Sequence, residues 1–150
     1  MKVRTVRKAG FTLIELLMVM VVLAVIAAIV IPKFADRHQQ SKEASLKTDL
    51  SHVRNAIATF QADTGYYPLT LNDLTVSSAA GLSTANTGID SGGNNQAITA
   101  TSFHGPYLLS MPNDPVSGSA FAYSTTSPTV GQVTSSATGN GLDGTAYTTW

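Results

Sequence analysis

A basic head followed by an unbroken apolar run leaves this chain few ways to begin its fold. Every residue from Leu16 to Ile31 is apolar, and the run stops at Pro32-Lys33. Lys2, Arg4, Arg7 and Lys8 come before it, with no acid among the first ten residues. Phe11 to Ile31 is 21 residues. As a helix this reaches roughly 31 Å, close to the ~30 Å hydrocarbon core of a bilayer. A basic head and an apolar span make an export signal. The run is longer than the ~7–15 residues of a cleavable signal, and Ile29-Val30-Ile31-Pro32-Lys33 is a poor small-x-small site. The span is therefore expected to stay with the mature protein as a membrane helix. The basic head would remain in the cytoplasm, placing everything after Lys33 outside.

Glu15 does not fit a plain signal. A carboxylate deep in a membrane costs about 2.5–3.5 kcal/mol on insertion scales. Glu15 lies only four residues into the run, so one reading solvates it at the headgroup level. The other gives it a cation. No Lys or Arg lies between Phe11 and Ile31. A cut before Phe11 would create an α-amine four positions upstream, on the same helical face or on a neighbouring chain.

Gly10-Phe11-Thr12-Leu13-Ile14-Glu15-Leu16, with a basic leader before it and an apolar run ending in Pro32 after it, resembles the class III signal of type IV pilins and type II secretion pseudopilins. The resemblance covers about the first third of the chain. It implies cleavage between Gly10 and Phe11 by a membrane-embedded prepilin peptidase that also N-methylates Phe11. It implies that Glu15 pairs with the Phe11 amine of an adjacent subunit during filament assembly. It implies a homo-oligomeric helical filament, an inner-membrane assembly platform, and minor pilins or pseudopilins as partners. Pro32 is expected to bend or loosen the helix in the filament.

The expected division is a leader at 1–10, a membrane or filament-core helix at 11–32, an amphipathic helix at 33–64, and a β-rich head at 65–150. Leu46, Leu50, Val53, Ile57 and Phe60 follow steps of four, three, four and three, the period of a helix with one apolar face. Lys42, Glu43, Lys47, Asp49 and Arg54 are assigned to the other face. Thr64-Gly65 should end the helix, with Gly65 suited to the left-handed position just past it. The apolar stripe is read as the core contact of the chain's own head. His38 and His52 have no companions at ligand spacing and are read as surface residues.

Leu69–Leu74 is expected to form a short turn or helical segment. Residues 75–102 turn to Ser, Thr, Ala, Gly and Asn and read as a long exposed loop, with one short strand near Ala97–Thr99. Ala120–Ser124, Val130–Val133 and Ala146–Trp150 are read as strands. The fold class is thus α+β: a long N-terminal helix packed on a small C-terminal antiparallel sheet.

Composition narrows the function. The chain has no cysteine, which excludes a disulfide-stapled head. Many type IV pilins are similar to one another in a C-terminal disulfide loop, whereas major pseudopilins usually lack it. Past residue 10 there are five basic residues, all within 33–54, against nine acidic ones, a net charge of −4. Beyond Arg54 only aspartates carry charge: Asp63, Asp73, Asp90, Asp114 and Asp143. Such a head is not built to grip nucleic-acid phosphates.

Gly105-Pro106-Tyr107-Leu108, then Pro112-Asn113-Asp114-Pro115, then Phe121-Ala122-Tyr123, resembles the head of the major pseudopilin of type II secretion. Tyr66-Tyr67-Pro68 is similar to that subfamily as well. Tyr107 and Phe121 are expected to fill the space between sheet and helix. The resemblance implies a calcium ion near the C-terminus, with Asn140 and Asp143 as the candidate ligands. Calcium takes six to eight oxygens, and the stretch from Ser135 to Trp150 offers one carboxylate, Asp143. Asp143-Gly144 also reads as a turn. Apart from this, no cofactor is expected.

No catalytic set is legible. There is no cysteine nucleophile, no paired histidines, no Gly-Lys phosphate cradle and no carboxylate pair at a recognisable spacing. His104 stands alone in a loop. The chain is expected not to be an enzyme. It is expected to be the major pseudopilin of a type II secretion system, a single-pass inner-membrane protein with a periplasmic head. The alternatives are a surface type IV pilin for adhesion, twitching or DNA uptake, and a signal-anchored periplasmic protein that never polymerises.

Overall fold

The computed structural model describes residues 10–150, with the backbone alone at 31–36. The leader residues before Gly10 and the side chain of Pro32 lie outside the described residues, so the expected bend at Pro32 does too. One helix, α1 (Leu13–Thr64), runs through two compact units that part after His38.

In the first unit α1 leaves its apolar side chains uncovered from Leu13 to Val30. Leu13–Val30 is long and apolar enough to cross a membrane, and none of it is buried. The helix starts where Thr12 and Glu15 satisfy each other. The Glu15 carboxylate accepts from the Thr12 backbone amide at 2.9 Å and from the Thr12 hydroxyl at 2.8 Å. The Thr12 hydroxyl in turn accepts from the Glu15 amide at 3.3 Å. This is a capping box: two amides that a helix start would leave unpaired are both satisfied.

In the second unit α1 buries Leu46, Leu50, Val53, Ala56, Ile57 and Phe60 against the head, as the periodicity predicts. Glu43 corrects the expected polar face. It is only 7% exposed and extends the buried stripe one step below Leu46. A carboxylate is tolerated there because the C-terminal segment brings it hydrogen-bond donors. The helix stops at Gly65, whose φ of 80° suits a residue without a Cβ. Its amide still reaches the Gln61 carbonyl at 2.8 Å.

The head contains two small antiparallel sheets instead of one. β1 (Thr87–Ile89) pairs with β2 (Asn95–Ala97) in the register Thr87↔Ala97 and Ile89↔Asn95. β3 (Ala122–Tyr123) pairs with β4 (Val133–Thr134). The stretch expected as a loop at 75–102 therefore carries a hairpin and a short 3-10 turn at Ala79–Gly81. Ala79, Leu82, Ile89 and Ile98 are all buried, anchoring the stretch from within. The strand expected near Ala97–Thr99 is β2, ending at Ala97.

Leu71–Thr75 forms the short helical segment expected near Leu69–Leu74. Ala146–Trp150 is not a strand. Tyr147–Thr149 is a 3-10 helix, and only Ala146 bridges back, to Asn140. With three residues per turn, Tyr147 and Trp150 fall on one side. Their rings meet edge to face at 5.1 Å, a gain that an extended strand would lose. Phe60, Phe103 and Tyr107 form a second aromatic group with centroids 5.4–5.9 Å apart.

Candidate functional site

Residues 10–12 precede α1 as non-helical chain, so the Gly10–Phe11 peptide bond lies outside any helical hydrogen bonding. Phe11 is 86% exposed. Among the described residues nothing demands a glycine at position 10. Its φ is not in the left-handed region, and a Cβ placed on it would meet nothing within 4 Å. Five residues downstream, the Glu15 carboxylate has Thr12 as its partner. The pairing implied by the resemblance is between chains, with the Phe11 amine of an adjacent subunit; within this chain the partner is Thr12. The signal was present, since Thr12-x-x-Glu15 is a capping-box spacing.

The aspartates of the head are committed to local structure. Asp73 accepts from the Thr70 amide at 2.8 Å and from both the amide and hydroxyl of Ser83. Asp90 closes the β1–β2 turn through the amides of Gly92 and Asn94, both at 2.9 Å. Asp63 accepts from the Tyr107 hydroxyl at 3.1 Å. His104, read as standing alone, lies 3.6 Å from Asp63. His38 and His52 are exposed.

Asp114, in the Pro-x-Asp-Pro turn, is fully buried. It accepts from the amides of Val116, Ser117 and Ser136 and from the Ser135 hydroxyl. Burial opposes its charge, yet these donors outweigh burial and hold the carboxyl below its ordinary range.

At the C-terminal turn, Asn140 and Asp143 do not gather a calcium shell. Asp143 Oδ1 accepts from the Thr145 amide at 2.9 Å and hydroxyl at 2.6 Å. Its Oδ2 lies 3.7 Å from the Lys47 ammonium. The other carboxylate at this turn, Glu43, receives the Leu142 amide at 3.0 Å, the Tyr147 hydroxyl at 2.7 Å and the Gln39 side chain at 3.3 Å. Asn140 joins the turn through its backbone bridge to Ala146. Among the described residues no three of His, Cys, Asp and Glu converge as metal ligands. Calcium is usually held by several convergent carboxylates, whereas here Asp143 is engaged by Thr145 and Lys47, and Glu43 Oε1 already accepts three donors. The residues present do not fit the ion.

Residues 6–31 match the family model described as the prokaryotic N-terminal methylation motif. The chain is 35% identical over 68 residues to the type II secretion system core protein G of Pseudomonas aeruginosa, covering 45% of this chain and 48% of that protein. It is 43% identical over 58 residues to the type IV narrow pilus major component PilA5 of Thermus thermophilus, covering 37% and 50%. It is 35% identical over 68 residues to the type IV major pilin protein PilA of Myxococcus xanthus, covering 45% and 31%. The matches thus span about half the length of these relatives or less. No solved structure matches. The chain carries the methylation motif and is homologous to secretion core protein G and to type IV pilins.

Proposed function

We propose that this chain, a methylation-motif protein related to pilins and pseudopilins, is the structural subunit of a type IV pilus-like filament, acting as the major pseudopilin of a type II secretion system that drives export of folded proteins. In this reading it has no catalytic role. The supporting observation is a fully uncovered apolar helix, Leu13–Val30, whose single charged residue is Glu15. Such a surface needs lipid or copies of itself.

In the proposed sequence of events the helix first holds the chain in the inner membrane, basic end in the cytoplasm and head in the periplasm. A prepilin peptidase cuts between Gly10 and Phe11 and methylates the new Phe11 amine. An assembly platform then moves the helix from lipid into a bundle of identical helices. Lipid and bundle are equally apolar, so this transfer gains little hydrophobic energy and must be favoured by packing and polar pairing. Glu15 supplies the pairing by exchanging Thr12 for the Phe11 amine of a neighbour. A misplaced subunit would leave one buried charge alone, which is costly, so the pair sets the register.

The test is processing and assembly measured in the same cells. Gly10→Val should give an uncleaved band. Glu15→Val should be cleaved normally but form no filament and export no cargo. Wild-type filaments from Glu15→Val would remove the pairing step.

The second reading, a surface type IV pilin, is favoured by the 43% identity to the Thermus pilus component. Electron microscopy of sheared surface material separates the two. Abundant long fibres at native expression indicate a pilus, and their absence together with a secretion defect in a deletion strain indicates a pseudopilus.

A further inference from the structure

We propose that the chain's own lysine, Lys47, does at the C-terminal turn what a divalent cation would otherwise do, so that the head closes without metal. The inference rests on the misfit between the turn and the calcium ion that the pseudopilin resemblance implies. It holds for a pilus or a pseudopilus subunit alike.

Gln39, Glu43 and Lys47 are spaced four residues apart on α1 and so form one stripe along the helix. Each reaches the same short segment. Gln39 and Glu43 both bond the Tyr147 hydroxyl, and Glu43 also takes the Leu142 amide. The Lys47 ammonium lies 3.7 Å from Asp143 and 4.1 Å above the Trp150 ring. It therefore neutralises the turn's carboxylate and stacks on its aromatic side chain at once.

The turn is also drawn tight around that position. The Trp150 indole N–H donates to the Thr145 hydroxyl at 2.5 Å, and that hydroxyl donates to Asp143. A Cβ on Gly141 would come within 2.5 Å of the Trp150 ring. The turn thus keeps Asp143 beside the lysine. Lys47 and Asp143 are each about half exposed, so the ion pair alone is screened and weak. The firm hold comes from the buried Glu43–Tyr147 bond. On that anchor Lys47 orients Asp143 and Trp150 by touching both.

Trp150 is the single tryptophan in the chain and reports on this contact directly. The experiment uses the full-length protein in detergent micelles, with calcium chloride or excess EDTA, following Trp150 emission, acrylamide quenching and thermal unfolding. The wild type should unfold at the same temperature in both conditions, and calcium should leave its emission unchanged. Lys47→Met should increase quenching of Trp150 and lower the midpoint by about 2 °C. Lys47→Arg keeps the cation and should retain wild-type quenching. A saturable calcium-dependent rise in the wild-type midpoint would overturn the proposal. So would a Lys47→Met protein whose Trp150 is quenched like the wild type. Neither result bears on filament assembly, so this test and that of the filament reading fail separately.

Discussion

The Ser135 hydroxyl donates to Asp114 Oδ2 at 2.5 Å, joining the Pro-x-Asp-Pro turn to the chain leaving β4. Both residues are buried, and three backbone amides point at the same carboxylate. Removing it leaves the buried Ser135 hydroxyl and three part-buried amides with no acceptor, at about 1–3 kcal/mol for each that water cannot reach. Asp114→Ala should therefore lower head stability by about 3 kcal/mol or more in urea unfolding. Ser135→Ala removes one donor and should cost about 1 kcal/mol.

Stability should also fall with acid through Glu43. Burial disfavours its charge, but the bonds from Tyr147, Leu142 and Gln39 prevail and hold its carboxyl below the ordinary value of 4.5. The folded state thus binds the proton less readily than the unfolded one. The contribution is complete above about pH 4.5 and is lost as pH drops through the lower folded value. Asp90, Asp114 and Asp143 are shifted in the same direction and add to the slope. Glu43→Gln should flatten the acid limb of a midpoint-versus-pH curve measured by circular dichroism.

Two glycines should behave in opposite ways. Gly131 has a φ of 82°, and a Cβ there would sit 2.3 Å from the Tyr67 ring. Gly131→Ala should destabilise the head by about 2 kcal/mol or more, through strain and through displacement of Tyr67. Gly10→Val should leave the unfolding midpoint unchanged, because among the described residues nothing lies within 4 Å of a Cβ at that position. Its effect should be confined to processing, seen as an uncleaved band on a gel.

Thr12→Val removes both hydroxyl contacts with Glu15 and so costs the free helix about 1 kcal/mol at its first turn. If assembly exchanges Thr12 for a neighbour's amine, the variant should still form filaments in near-normal amount. Glu15→Val should form none. Quantifying sheared or overexpressed filaments by immunoblot checks both.

The sequence made α1 readable because its signal is repeated: five apolar residues at helical spacing from Leu46 to Phe60, then Thr64-Gly65 as a stop. Glu43 is not legible as buried, because a carboxylate on that stripe looks solvent-facing. Its donors lie 99 and 104 residues away, at Leu142 and Tyr147, and no local pattern announces them. The β1–β2 hairpin escaped for a different reason. Its strands are three residues each, with Gly88, Asn95 and Gln96 where β-branched residues would give an alternating pattern. At the N-terminus Gly10, Phe11 and Glu15 were all legible as a motif. Thr12 is less legible, because its role is a hydrogen bond within one turn whereas the motif points to a contact between chains.

The β1–β2 hairpin also settles where this molecule can change its outward appearance. Asp90 alone gathers the turn, bonding Gly92, Asn94 and Gln96, and Gly93 takes a φ of 87°. The side chains of Ser91, Asn94 and Asn95 are exposed, and of these Asn94 also donates to Asp90. Random mutation followed by selection for a folded head should therefore spare Asp90 and Gly93 while letting the tip around them diversify. An antibody raised against that tip would recognise one variant and miss the next.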